Sequence, residues 1–490
     1  VILKYCGMTR YWILLSFSLM FLCAHSQSLF ENAGLDIGGG SNKTTEVDFS
    51  GYGRGSVFGG GKQYKLASSF AEMSLQTRLK SREALLNGDI RLRKGIMFEE
   101  DVQLIEVKEL YAGYSSNSFD CLIGNQLVNW GRTDGFNPTN NITPNDYFFL
   151  SADPDDQKMS NFMLRLKYRF SSKVDIDIVG VPYFKPSVYR FDLFDMNQEM
   201  DLGSDWVTIA SPVQANVVFD PLELPKRKLS NGSLGARLNF ELQKIGFAVS
   251  YFSGYDHFHG FDLKDFKINI LKDPTDIFGN PTGIFLDSTQ ILINYQPRVY
   301  KKKTIGFDMA LPLPGFLLKA EAAYNIVRNK DSLMYIPNSD LSYVIGVEKM
   351  WNDYVFIAQY IGKTVSDFKP VEKPELGQLT VPSTTYVNDM VIYASTMFNR
   401  LIFNQPTEFN HAFAFTVTKS FAHDEWNAEF TAYYNLFLEE YMLRPKLTWK
   451  VNDYLTVIAG ANYMHAKNLT LFHFSSKIMN GVFVELKVNF

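Results

Sequence analysis

Cysteine is almost missing from this chain: there are 3 among 490 residues, and Cys121 alone lies beyond position 26. Once the leader described below is removed, no intrachain disulfide can form. Beyond that leader no uninterrupted apolar run of about 18 residues occurs, which excludes membrane-crossing helices. Neither sign of charge prevails, with Lys+Arg 48 against Asp+Glu 52, so the basic excess of a nucleic-acid binder is absent. Histidine is scarce as well. Beyond position 26 it occurs as His257, His259, His411, His423, His465 and His473, and His411 and Ser420 are too far apart along one strand to share a triad. His257 and His259, with Asp256 and Asp262, could share one face of an extended loop, although solvated loop histidines are the simpler reading. No phosphate-cradling glycine loop and no CxxC is found. No catalytic residue, metal or cofactor is therefore assigned.

What the chain does have is aromatics, 15% with Tyr 26 and Phe 41, a level that suits a large all-β protein or one at a membrane interface. Residues 1–26 carry Arg10, an apolar run from Trp12 to Cys23 and a small-residue stretch Ala24-His25-Ser26. This is the pattern of a secretory signal peptide, with an upstream extension at 1–7. Residues 27–45, with Gly38-Gly39-Gly40, read as a flexible lead-in, and residues 46–490 as the folded domain.

Over that domain, segments of roughly ten residues alternate apolar and polar positions. Ala71, Met73, Leu75 and Leu79 oppose Glu72, Ser74, Gln76 and Arg78. Leu164, Leu166, Tyr168 and Phe170 oppose Arg165, Lys167 and Arg169. Trp426, Phe430 and Tyr434 oppose Asn427, Glu429 and Thr431. A soluble sandwich alternates too, but the turns favour a membrane barrel. Trp351-Asn352-Asp353-Tyr354, His423-Asp424-Glu425-Trp426 and Val451-Asn452-Asp453-Tyr454 are short polar turns flanked by Trp or Tyr, as in an interfacial girdle. Counting gives a transmembrane antiparallel β-barrel of about 18 strands, with 16 as the alternative. The longest connections, from Thr133 to Lys158, Lys185 to Leu229, Tyr255 to Tyr300 and Val365 to Asn410, fall on the side opposite the short turns and are expected to be extracellular. Met390, Tyr393, Met397 and Leu401 predict one short amphipathic helix over 388–401.

A charge facing lipid costs a few kcal/mol, so the basic rows Arg78, Lys80, Arg91, Arg93, Arg165, Lys167 and Arg169 must line the lumen of such a barrel. A three-residue turn at Ser171 to Lys173 would set Arg169 opposite Asp175 and Lys167 opposite Asp177. That gives either a lumen of mixed charge or a basic ladder selecting anions. The final stretch alternates Val482, Val484, Leu486, Val488 and Phe490 with Phe483, Glu485, Lys487 and Asn489. It resembles the C-terminal signal of bacterial outer-membrane barrels, and the resemblance implies handling by the insertion machinery through the strand that ends in Phe490.

Residues 123–138 hold a second distinctive pattern, with Gly124, Gln126, Trp130, Gly131, Asn137 and Pro138 in the order G-x-Q-x-x-x-W-G…N-P. It resembles a large family of Gram-negative outer-membrane barrels of unknown function, found beside export pumps of the resistance-nodulation-division type; Asn125 stands where that family is expected to prefer Arg. The resemblance implies movement of hydrophobic or amphiphilic molecules in an envelope transport complex. On the residues alone, Trp130 and Gly131 read as a rim aromatic and a turn glycine.

The expectation is thus a porin-like outer-membrane barrel in contact with lipid, passing small solutes that are anionic or amphiphilic. One rival is a hydrophobic-substrate or export-associated barrel, with Met390, Tyr393 and Phe398 forming an uptake site. The other is a structural or adhesive barrel acting through its loops.

Overall fold

The computed structural model describes residues 45–194, 216–267, 270–272, 284–286, 292–329, 332–375, 384–467 and 470–490. The predicted leader and nearly all of the lead-in lie outside these. An 18-stranded sheet closes on itself. Its strands are β1 (Thr45–Gly59), β2 (Leu66–Ser81), β3 (Ala84–Met97), β4 (Glu100–Ser115), β5 (Phe119–Gln126) and β6 (Asn161–Ser171). They continue as β7 (Val174–Val181), β8 (Ser233–Glu241), β9 (Gly246–Tyr255), β10 (Lys301–Leu313), β11 (Phe316–Val327) and β12 (Asp340–Trp351). The last six are β13 (Tyr354–Val365), β14 (Phe409–Phe421), β15 (Trp426–Asn435), β16 (Glu440–Lys450), β17 (Leu455–His465) and β18 (Gly481–Asn489). Each pairs antiparallel with its neighbour, and β1 meets β18 from Tyr52↔Asn489 to Gly59↔Val482. Beyond the ladder the seam continues to the last residue, where Gly51 and Phe490 exchange backbone hydrogen bonds of 2.9 and 3.0 Å.

Alternation decides which side of the wall each residue serves. In β18, Val482 and Val484 are 63% and 52% exposed while Phe483 and Glu485 are 1% and 2% exposed. The same holds in β3, where Ile90 and Leu92 point out and Arg91 and Arg93 point in. An exposed apolar outer row over a charged inner row is the wall of a membrane-spanning barrel, in which closure leaves no unpaired edge in the hydrocarbon. Trp351, Trp449 and Tyr454 stand exposed around the short turns, with Tyr354 half-buried beside them. Trp426 and Trp449 stack across β15 and β16 at 5.1 Å. Amphipathic rings at this level form the expected girdle.

The four long connections all emerge at the end opposite these turns, as the spacing predicted. They build a cap with an apolar core of its own, including Phe191, Phe261, Ile293, Tyr295, Phe398 and Phe474. Fully burying such side chains stabilises by about 1.5–3 kcal/mol each. Part of this cap is a small sheet in which Gly260–Lys267 pairs with Leu292–Arg298, and the latter with Asn216–Phe219.

The predicted helix exists, but as α1 (Thr384–Ile402) it is longer than expected. Its buried stripe includes Met390, Val391, Ser395, Phe398 and Ile402; of the predicted row Met390 is buried, while Tyr393, Met397 and Leu401 are half-buried about one residue round from the stripe. The reason is polar: the Asn399 side chain bonds both the N–H and the C=O of Phe261 at 2.8 Å, and Ser395 bonds the Tyr295 hydroxyl at 2.7 Å. These bonds fix the helix face. A second helix, α2 (Leu471–Met479), was not foreseen; it is capped by Thr470, whose hydroxyl accepts from the N–H of His473.

Candidate functional site

The connection from β5 to β6, residues 127–160, does not stay on the rim. It enters the lumen and is fastened to walls on both sides of it. Just after β5, Trp130 is 3% exposed and packs with Val128, Ile142, Met163, Val179 and Phe252. Its indole N–H donates to Asp177 at 3.3 Å. Trp130 is therefore an interior anchor and not the rim aromatic that the sequence suggested. On β8, beside Val179, Gly235 gives it room, since a Cβ there would stand 2.7 Å from the indole.

Gly131 has φ +108, and a Cβ there would come within 2.5 Å of the Glu321 carboxylate and 2.7 Å of the Asn137 amide. Glycine alone supplies that backbone and that closeness. The reward is a dense set of hydrogen bonds. Glu321 on β11 accepts from the N–H groups of Arg132, Thr133 and Thr139 at 3.1, 3.4 and 2.8 Å. It also accepts the hydroxyls of Thr133 and Thr139, at 2.9 and 2.8 Å. Beside it, Arg132 pairs with Asp308 at 2.9 Å and with Glu241, and Lys319 reaches Asp134 at 2.7 Å. Farther on, Phe136 stacks on Tyr433 of β15 at 5.4 Å.

The second half of the loop is held by the opposite wall. Asp156 meets Arg54 of β1 at 2.5 Å and Arg91 of β3 at 2.8 Å. Lys108 of β4 donates to the carbonyls of Asp156 and Lys158. Arg444 of β16 donates to the carbonyls of Ser151 and Ala152 at 3.2 and 2.9 Å. Burial works to raise the Asp156 carboxyl, but the charge of Arg54 and the hydrogen bonds from Ser151, Arg54 and Arg91 outweigh it. They hold the group well below the usual carboxylate range.

Of the residues picked from the sequence, Arg91 and Arg93 lie in this cluster, Arg93 bridging Glu72 and Glu106 at 2.5 and 3.0 Å. Lys167 is opposite Asp177 and Arg169 opposite Asp175, as predicted, although the turn is the two residues Ser172 and Lys173 with a bulge between Arg169 and Ser171, where three turn residues were expected. The ion pairs, however, run diagonally. Arg165 bonds Asp177 at 2.8 Å, Lys167 bonds Asp175 at 3.3 Å, and Arg169 turns to Asp120 on β5 at 2.5 Å. Long side chains lean along a twisted strand and meet the diagonal partner. Arg78 stands exposed on β2 and makes no ion pair among the described residues.

Gly124 pairs with Tyr111 and Met163 within the wall, and Gln126 donates to the Met163 carbonyl at 3.3 Å. Asn137 and Pro138 line a cavity. His257, which the sequence placed in solvent, bridges the carbonyls of Lys185 and Asn141 at 2.8 and 3.1 Å, and His259 is buried. Met390 and Phe398 are buried in the cap and offer no uptake surface.

Arg54, Glu72, Asp156, Asp308, Glu321 and Arg444 were missed. Glu72 meets Arg54 and Arg93 on the neighbouring strands, but the bonds between loop and wall made by the other five join positions 65 to 293 apart, which no local pattern reveals. The one hint was an acidic run, Asp153-Pro154-Asp155-Asp156, inside a loop whose barrel has basic inner rows.

One cavity adjoins the inward loop, and another lies beneath the cap without touching that loop. The first, about 400 Å³, lies between Phe136–Pro138 and the β12–β15 wall, against Ala412 and Tyr433. The other, about 290 Å³, is bounded by Tyr300, Lys302, Asp340, Phe403 and Gln405. They share Lys363 and Asn404.

No family model matches the chain, and no curated protein matches it. Among solved structures the chain is similar to Pseudomonas aeruginosa OccK3 (OpdO), with 8% identity, 91% of this chain and 96% of that one covered, and a TM-score of 0.47. It is also similar to P. aeruginosa OccK2 (OpdF) in complex with glucuronate, with 9% identity, 92% and 99% covered, and a TM-score of 0.48. A third is the outer membrane channel DcaP of Acinetobacter baumannii, with 9% identity, 92% and 99% covered, and a TM-score of 0.38.

Proposed function

We propose that this protein is an outer-membrane channel through which small polar solutes pass at a constriction formed by residues 127–160. The observation that supports it best is the loop bound by charges to both walls, with one adjoining cavity left beside β12–β15. A barrel meant only to display loops has no use for a fixed strap across its lumen. Most of the basic rows singled out in the sequence have carboxylate partners, which favours a mixed field over a plain anion ladder; orienting dipolar solutes is what such a field does. On this reading the strand that ends in Phe490 is the segment the insertion machinery engages. Recording from single barrels in a planar bilayer tests the proposal: discrete ohmic steps are expected, and persistent silence under voltage would overturn it.

A second reading is favoured by one patch. Phe136, Ile361, Ala412, Ala414, Tyr433 and Met442 pack into an apolar flank beside the larger cavity, which suits solutes with one greasy side. Amphiphilic solutes should then block current at lower concentration than polar ones of equal size, and Tyr433→Ser should remove the difference.

A further inference from the structure

We propose that the outer rim above β8 to β10 is a docking surface for a phosphorylated lipid headgroup of the outer leaflet. The inference rests on the membrane-spanning wall and not on whether the barrel conducts.

Two basic runs far apart in sequence meet there. Lys301-Lys302-Lys303 opens β10, and strand alternation splits it. Lys302 turns inward to Asp256 at 2.7 Å, while Lys301 and Lys303 stand exposed outside, above the outward Ile305 and Phe307. Lys226-Arg227-Lys228, all exposed, lies in the connection just before β8. Asn231 ties the two together. Its amide donates to the Lys226 carbonyl at 2.9 Å, and its backbone N–H to that of Lys228 at 2.9 Å. Its side-chain oxygen accepts from Lys301 and from the Tyr255 hydroxyl, both at 3.5 Å. The Lys301 ammonium also lies 5.0 Å over the Tyr255 ring.

None of these five cations has an ion-pair partner among the described residues. The carboxylates near them in sequence are engaged elsewhere: Asp256 by Lys302, Glu223 and Asp262 by Arg298, and Asp220 by Lys264. In a chain of net charge -4, five cations gathered at one part of the rim with no carboxylate partner among the described residues form a site for an anion. A solute on its way to the lumen is not that anion, because Lys301 and Lys303 face away from the lumen. An amphiphile fits better, since Leu229 is 77% exposed beside the cations and Leu234 points outward just below. Phosphate for the cations and acyl chain for the leucines are the two halves of a membrane lipid.

The test is native mass spectrometry of the detergent-solubilised barrel titrated with bisphosphorylated lipid A, with fully dephosphorylated lipid A and with inorganic phosphate. Wild-type protein is expected to retain the bisphosphorylated lipid. Lys226→Gln/Arg227→Gln/Lys228→Gln and Lys301→Gln/Lys303→Gln should each weaken it by about tenfold, with the heat-modifiable gel shift of the folded barrel unchanged. Leu229→Ser keeps every charge and should weaken the lipid without altering the preference for its phosphorylated form. Equal retention of the dephosphorylated lipid, unchanged binding by both charge variants, or inorganic phosphate binding as tightly as the lipid would each overturn the proposal. None of these readings depends on conductance.

Discussion

The Asp156 carboxylate of the inward loop and the Arg54 guanidinium of β1 stand 2.5 Å apart inside the lumen. Breaking one partner of a buried pair costs about 3–5 kcal/mol, so Asp156→Asn should release the second half of the loop. Larger and noisier single-channel steps are the expected outcome. The sign of the pH effect follows from the depressed carboxyl. Its contribution is complete above the unfolded value near about 4 and is lost as pH falls from there through the folded value. Because that folded value is held well below the usual range, the pair stays ionised at pH 4, and wild-type conductance there should not show the Asp156→Asn phenotype.

Glu321→Ala removes the acceptor of three backbone and two hydroxyl donors. Amide exchange across residues 132–139 should accelerate by a factor corresponding to roughly 3 kcal/mol, with the strand ladders unaffected. Gly131→Ala should give a weaker version of the same change, because its φ of +108 and the close Glu321 carboxylate both oppose a side chain.

His259 sits among Tyr189, Phe191, Phe258 and Phe261, and burial pushes its pKa down to about 4. The folded cap therefore binds fewer protons than the unfolded one between about pH 6.5 and 4, and cap stability falls by about 3 kcal/mol as pH drops through that window. Limited proteolysis of the loops should be faster at pH 5 than at pH 7.5. His259→Phe should reduce the difference, the remainder coming from His257, whose pKa burial also lowers.

Val484→Arg places a cation on the lipid face of the seam strand. A loss of about 2 kcal/mol is expected, read as a lower urea midpoint for the barrel refolded in vesicles.

The wall was legible because alternation is written into every strand; Val482 and Val484 against Phe483 and Glu485 say which side is which without further help. Even the facing of Lys167 and Asp177 was legible, although a two-residue turn with a bulge sets it where a three-residue turn was expected. Their ion pairs did not, because the diagonal choice is made by twist and by the reach of each side chain. The interior strap was illegible for another reason. Arg444 holds Ser151 and Glu321 holds Thr139 only after closure has brought distant strands to face one another, and Trp130 looks like a rim residue until it is seen what stands opposite. The helix was found but turned by one position, since Asn399 and Ser395 bury polar atoms that a hydrophobic pattern assigns to solvent.

The strap gives the barrel two unequal flanks. Strands β1 to β4 are occupied with gripping it, so substitutions there will register as changes in sturdiness. Strands β12 to β15 line the larger of the two cavities described, and substitutions there will register in traffic. A bilayer sees a nearly uniform ring, while a molecule crossing it meets an off-centre corridor.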